Sequence, residues 1–173
     1  MITLTNKFKA KYIAKRFNLP RNQFYVWGLK KSGLLLRLLS KLLGRKILYL
    51  EDAFVRSFGL GRDELPLGIC CDSLGIYYDS SKENSLELLL KNSLSIEEHN
   101  RASKIQNSWI SFSISKYNGA LDSSFPDSPY ILIVDQTFGD LSIKYSNSNI
   151  ETFHNMFLWA VNNWPKHKIV IRV

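Results

Sequence analysis

Tyr130-Ile-Leu-Ile-Val-Asp-Gln-Thr-Phe-Gly-Asp140 decides the fold. A short apolar strand runs straight into a turn that carries two acids, an amide and a hydroxyl. Open α/β sheets hold their ligands just past the carboxyl ends of the strands, at that position. Downstream, Ile150, Phe153, Phe157, Ala160 or Val161, and Trp164 fall on one face of a helix, which Pro165 closes. Lys168-Ile-Val-Ile-Arg-Val173 then reads as a strand. The order strand, loop, helix, strand is a βαβ unit of a doubly wound α/β fold.

A second run has the same form. Ile47-Leu-Tyr-Leu50 feeds Glu51-Asp52, followed by Arg56-Ser57. Ahead of it, residues 6 to 17 are expected as a basic helix and Phe24 to Gly28 as a short strand. From Ser32 the pattern turns helical and stops at Gly44. Leu35, Leu38 or Leu39, and Leu42 share one face there, opposite Lys30, Arg37 and Lys41. That leucine stripe is expected to cover the following strand, with a membrane-surface helix as the alternative. Leu67 to Asp79 looks like two short strands around a turn at Asp72-Ser73. Ser81 or Asn84 can cap a helix through Leu90, and Ser95 with Glu98 forms a capping box for the next one. Residues 118 to 129, rich in Ser, Asp and Pro, are a connector. The expected division is an α/β lobe with a basic helical start at 1–125 and the start of a second βαβ lobe at 126–173.

The 173 residues suffice for one domain with a sizeable core, and 45% hydrophobic content fits a folded protein. The net charge of +8 is unevenly spread: residues 1 to 50 hold twelve Lys and Arg and no acid. Such a basic first third suits an anionic partner, whether phospholipid, nucleic acid or an acidic protein face, or is a solvated helix surface. Adjacent Cys70 and Cys71 are expected as small buried side chains, not as a disulfide framework. No stretch reads as a secretory signal or membrane span, which leads to a cytoplasmic expectation. The closing strand runs to the last residue, which suggests a piece of a longer protein or a shortened gene product.

Asp135, Gln136, Thr137 and Asp140 crowd one loop. A carboxylate there can act as nucleophile or general base, coordinate a divalent ion beside a nucleotide, or satisfy local backbone groups in an Asx turn. Glu51 and Asp52 beside Arg56 can position a polyhydroxy or anionic substrate, or Arg56 can form a structural ion pair. If Glu51 and Asp140 face one cleft, they supply the two carboxylates that glycosyl chemistry needs. Gly59-Leu-Gly61 lacks the spacing of a dinucleotide fingerprint, and His99, His154 and His167 form no metal-ligand spacing.

Three ordered segments carry a resemblance to a known family. Glu51-Asp-Ala-Phe-Val-Arg-Ser-Phe-Gly-Leu-Gly61 resembles an EDGF-RS-GLG segment. Pro66-Leu-Gly-Ile through Asp72-Ser-Leu-Gly-Ile-Tyr-Tyr-Asp79 resembles PLS-DD-GIYYD, and Asp135-Gln-Thr-Phe-Gly-Asp140 is similar to DQT-GD. The family is that of capsular polysaccharide biosynthesis and export proteins of Gram-negative bacteria, of the KpsC/LipB type, whose members are β-Kdo glycosyltransferases. The resemblance runs from Tyr25 to Val173. It implies Rossmann-like lobes of a GT-B-type glycosyltransferase, truncated here, that uses CMP-Kdo as donor and needs no cofactor or metal. It implies a phospholipid or lipid-linked saccharide acceptor and a cytoplasmic position peripheral to the inner membrane. The remainder of a split enzyme and other capsule export proteins are the implied partners.

The resemblance puts the nucleophile of a retaining double displacement at Asp140 and the assisting acid or base at Glu51. Arg56, Gln136, Asp52, Asp135, Thr137 and Ser57 become substrate-binding residues. Two departures stand out. Ala53 replaces a family glycine, and the family's histidine-proline segment after the last strand lies beyond Val173. An inactive fragment or a scaffold of capsule export is therefore one alternative. A basic nucleic-acid-binding module is another, opposed by the fifteen acids beyond residue 50.

Overall fold

The computed structural model describes residues 7–20, 22–59, 64–119, 126–127 and 129–172. They form two compact units, residues 1–77 with 82–120 and residues 78–81 with 121–173. The end of the Gly59-Leu-Gly61 segment and most of the connector at 118–129 lie outside the described residues.

The first unit is built on a mixed three-stranded sheet in the order β1 (Phe24–Trp27), β2 (Ile47–Asp52), β3 (Ile69–Asp72). β1 runs parallel to β2, and β3 is an antiparallel edge strand, as open α/β sheets often carry. Residues alternate between the two faces of a strand. Tyr25, Trp27, Leu48, Leu50 and Ile69 therefore share one face, where they pack with Ile13 and Phe17 at the end of α1 (Lys7–Arg16). Burying this cluster is the main stabilising term of the unit.

The opposite face carries Val26 and Tyr49. It is approached by a 3-10 turn (Lys31–Gly33) that continues into α2 (Leu34–Leu42). A Cβ on Gly33 would meet Val26 at 3.2 Å. The bare glycine thus lets the helix start settle directly on β1. The buried residues of α2 are Leu36 and Ser40. Leu35, Leu38 and Leu42 are exposed, which overturns the expectation that they cover the sheet.

Past β3 the expected second strand is absent. Asp72 ends the ladder by accepting from the amides of Leu74, Gly75 and Ser85 and from the Ser85 hydroxyl. Burial pushes the Asp72 carboxyl up, but these donors outweigh it and hold its pKa low. α3 (Ser85–Leu90) and α4 (Ile96–Ser111) each begin in a complete capping box, from Asn84 and Ser95. Cys70 is half-buried and Cys71 exposed, because β3 lies at the edge of the sheet; the expectation of two buried cysteines is corrected.

The second unit is a βαβ element. β4 (Tyr130–Val134) pairs in parallel with β5 (Lys168–Arg172), and the connection runs through α5 (Leu141–Tyr145) and α6 (Ile150–Asn163). Ile133 and Ala160 are its buried apolar residues. Ser80 ties the 78–81 segment to the end of α5 by donating its amide and hydroxyl to the Tyr145 carbonyl. The described residues contain no helix long and apolar enough to cross a membrane.

Candidate functional site

In the first unit the acids stand at the carboxyl end of β2, the central strand. Glu51 pairs with Cys70 and Asp52 with Ile69. Glu51 is half-buried on the face that carries Val26, and burial raises its pKa. The Asp52 amide donates to its Oε1 at 3.0 Å, and the Lys30 and Lys116 ammonium groups oppose the rise. A carboxyl whose proton is held more tightly by burial is a candidate for proton transfer.

Arg56 and Ser57 occupy a different setting. Arg56 is 5% exposed. Its Nε donates to Asp52 Oδ1 at 3.0 Å, and its Nη1 donates to the Glu64 carbonyl at 2.9 Å and to Ser57 Oγ at 3.1 Å. Ser57 is buried and donates from Oγ to the Gly59 carbonyl at 2.7 Å. The backbone amides of both residues donate to the Lys116 carbonyl. Of the two roles open to Arg56 in the sequence, the structure presents the internal ion pair.

In the second unit the turn after β4 forms one wall of a groove of about 760 Å³. Its apolar floor comes from Ile133, Phe153, Phe157 and Ile171, and its polar rim from Asp135, Gln136, Asp140, Lys144, Asn149 and His154. The Asp135 amide extends the β4–β5 ladder by donating to the Arg172 carbonyl, and its Oδ1 accepts from the Gln136 amide. Gly139 has φ +79°, a left-handed turn that brings Asp140 back over the groove. Asp140 Oδ1 accepts from the Ser142 amide at 2.8 Å and caps α5, so one carboxylate oxygen is engaged locally. Gln136 and Thr137 are exposed, and the Thr137 carbonyl accepts from the Asp140 amide. An apolar floor ringed by carboxylate, amide and ammonium groups suits a polyhydroxy ligand with a charged substituent.

Asp135, Gln136 and Asp140 are thus gathered at one groove, while Glu51 and Asp52 stand at the β2 tip of the other unit. Lys144, Asn149 and His154 were missed on the rim, and Lys30 and Lys116 near Glu51. Asn149 left a signal, since Asn149 with Thr152 forms a capping box. Lys116 left none, being brought to Glu51 only by the tertiary fold. Among the described residues no group of three or more His, Cys, Asp or Glu is placed to hold a metal ion.

Fold and groove define an α/β protein with polar strand tips, the class in which ligands sit beyond the carboxyl ends of parallel strands. Comparison with known proteins narrows this. No family model matches the chain. It is 33% identical over 156 residues to the capsule polysaccharide modification protein LipA of Neisseria meningitidis serogroup B, which covers 84% of this chain and 22% of LipA. It is 35% identical over 118 residues to the lipopolysaccharide-processing protein LpsZ of Rhizobium meliloti, covering 58% of this chain and 26% of LpsZ. Among solved structures, the β-Kdo 2,4 transferase of KpsC from Thermosulfurimonas dismutans matches with 30% identity and a TM-score of 0.77, over 85% of this chain and 48% of that one. The β-Kdo 2,7 transferase of the same KpsC shares the fold, with a TM-score of 0.60 at 23% identity. Over most of its own length the chain is thus a homologue of the capsule polysaccharide protein LipA and of the KpsC β-Kdo 2,4 transferase. It spans about half of the solved KpsC chain and 22% of LipA.

Proposed function

We propose that this chain forms part of a β-Kdo glycosyltransferase of capsular polysaccharide synthesis. The observation that carries the reading is its likeness to the KpsC β-Kdo 2,4 transferase, at a TM-score of 0.77 and 30% identity. The donor is CMP-Kdo and the acceptor a lipid-linked saccharide at the cytoplasmic face of the inner membrane. The fold class is that of Rossmann-like lobes of GT-B type, and Glu51 and Asp140 are the two carboxylates the reaction requires.

The chemistry is a double displacement with retention. The Asp140 carboxylate attacks the anomeric carbon of Kdo, and the bond from that carbon to the CMP phosphate oxygen breaks, releasing CMP with the bonding pair. Glu51 takes the proton from the acceptor hydroxyl. The acceptor oxygen then attacks the same carbon from the opposite face and frees the Asp140 carboxylate. Gln136, Asp135 and Thr137 hold the sugar hydroxyls. Arg56 acts as a positioning residue, fixing Asp52 and the chain around Ser57.

Hydrogen–deuterium exchange of the folded protein with and without CMP-Kdo tests the donor assignment, beside a mass-spectrometric assay of Kdo transfer to a β-Kdo-terminated lipid. Slower exchange at 135–145 is expected, and Asp140→Asn is expected to abolish any transfer. Unchanged exchange at saturating CMP-Kdo would rule the assignment out.

A further inference from the structure

α2 carries an apolar face that its own fold leaves uncovered. Leu34, Leu35, Leu38 and Leu42 are 54 to 72% exposed, and Leu43 adds to them at the helix end. With 3.6 residues per turn, Leu38 lies about 180° around the helix from the midpoint of Leu36 and Ser40, which face the sheet. The stripe therefore points straight away from the protein. Seating Gly33 against Val26 fixes this orientation, so rolling the leucines inward would lift the helix start off β1.

The surroundings of the stripe are uniformly cationic. Lys41 borders it along the helix, and Lys31, Arg45 and Lys46 stand exposed at its two ends, whereas Arg37 turns a buried Nη1 back towards Gly33. No acid occurs in residues 1 to 50. Exposed apolar residues on α3 and α4 differ in this respect, lying among Glu83, Glu87, Glu97 and Glu98.

We infer that α2 is a membrane-docking helix whose leucines enter the interface of a bilayer while the flanking cations hold anionic phospholipid headgroups. A helix with leucines on one side and only positive charge beside them has the form of an interfacial amphipathic helix. A second copy is a poor occupant. Joining two such faces would bring Lys41 and Lys31 of both copies together with no acid of residues 1 to 50 to offset them. Nucleic acid would use the cations but leave the leucines in water. The inference stands independently of the transferase reading, since it uses none of the groove residues.

The test is co-sedimentation of the whole chain with vesicles of phosphatidylcholine alone or with about one-third phosphatidylglycerol. Binding to the anionic vesicles and loss of binding as salt rises are expected. The pair Leu38→Ser with Leu42→Ser is expected to weaken binding tenfold or more, and Lys41→Glu with Lys46→Glu likewise. The pair Leu90→Ser with Ile110→Ser on α3 and α4 should leave it unchanged. Circular dichroism checks that each variant folds; the α2 leucines are exposed, so their replacement spares the core. Equal binding by the leucine variant, or binding independent of anionic lipid, would overturn the proposal. So would a dimer in wild-type protein that only the leucine variant dissolves, without vesicle binding.

Discussion

Replacing Arg56 by methionine is expected to unfold the first unit more readily while leaving the second intact. The Arg56 side chain is 6% exposed and that of Asp52 18%. Methionine fills a similar volume but donates nothing. Asp52 Oδ1, the Glu64 carbonyl and Ser57 Oγ all lose a donor. Stranding a buried charge by removing its partner costs about 3–5 kcal/mol. Asp52 retains some access to water, so the lower end, about 3 kcal/mol, applies. Asp52→Asn keeps an oxygen for Nε but loses the charge, at about 1–2 kcal/mol. The double variant should cost less than the sum, with a coupling of about 1–2 kcal/mol. Urea denaturation followed by fluorescence, with Trp159 and Trp164 changed to Phe so that Trp27 and Trp109 report the first unit, measures all of these. For a slope of about 2 kcal/mol/M the midpoint should fall by roughly 1.5 M. A loss below about 1 kcal/mol, coupled to loss of CMP-Kdo binding, would refute the structural role and restore Arg56 to the substrate.

Three further outcomes follow from the same geometry. Glu51 has its pKa raised by burial, so the folded state holds its proton more tightly than the unfolded chain. Its contribution is complete below the ordinary carboxylate pKa and fades as pH rises through the elevated value. Glu51→Gln should therefore match the wild type in thermal stability at acid pH and exceed it at neutral pH, and a difference that ignores pH would contradict this. Asp140→Asn should keep the α5 cap, whereas Asp140→Ala should cost about 1 kcal/mol, read by thermal melting. Gly139→Ala meets no atom within 4 Å, so its cost should be the backbone strain of φ +79° alone, about 1 kcal/mol.

The acidic turn after β4 was legible because an apolar run ending in charged residues has few other uses in an α/β sheet. α6 was equally plain from the spacing of Phe153, Phe157 and Ala160. α5 was hidden, since five residues give too little periodicity and only the cap at Asp140 marks them. The inner face of α2 was misread for a physical reason. Periodicity locates an apolar stripe but not the side against which the helix packs, and the close approach at Gly33 turns Leu36 and Ser40 inward in place of Leu35, Leu38 and Leu42. Arg56 shows the same limit at the site, because the partners of a buried cation include the Glu64 carbonyl, which no sequence pattern announces.

β2 is laced to a neighbour along each side, one running with it and one against it. Its last residues cannot slide or tilt without unzipping one of these seams. Glu51 is consequently anchored at the Cα, and any adjustment toward a reactant must come from rotation about its own side-chain bonds. Loops around such a fixed post can change length and composition while the carboxylate stays where it is.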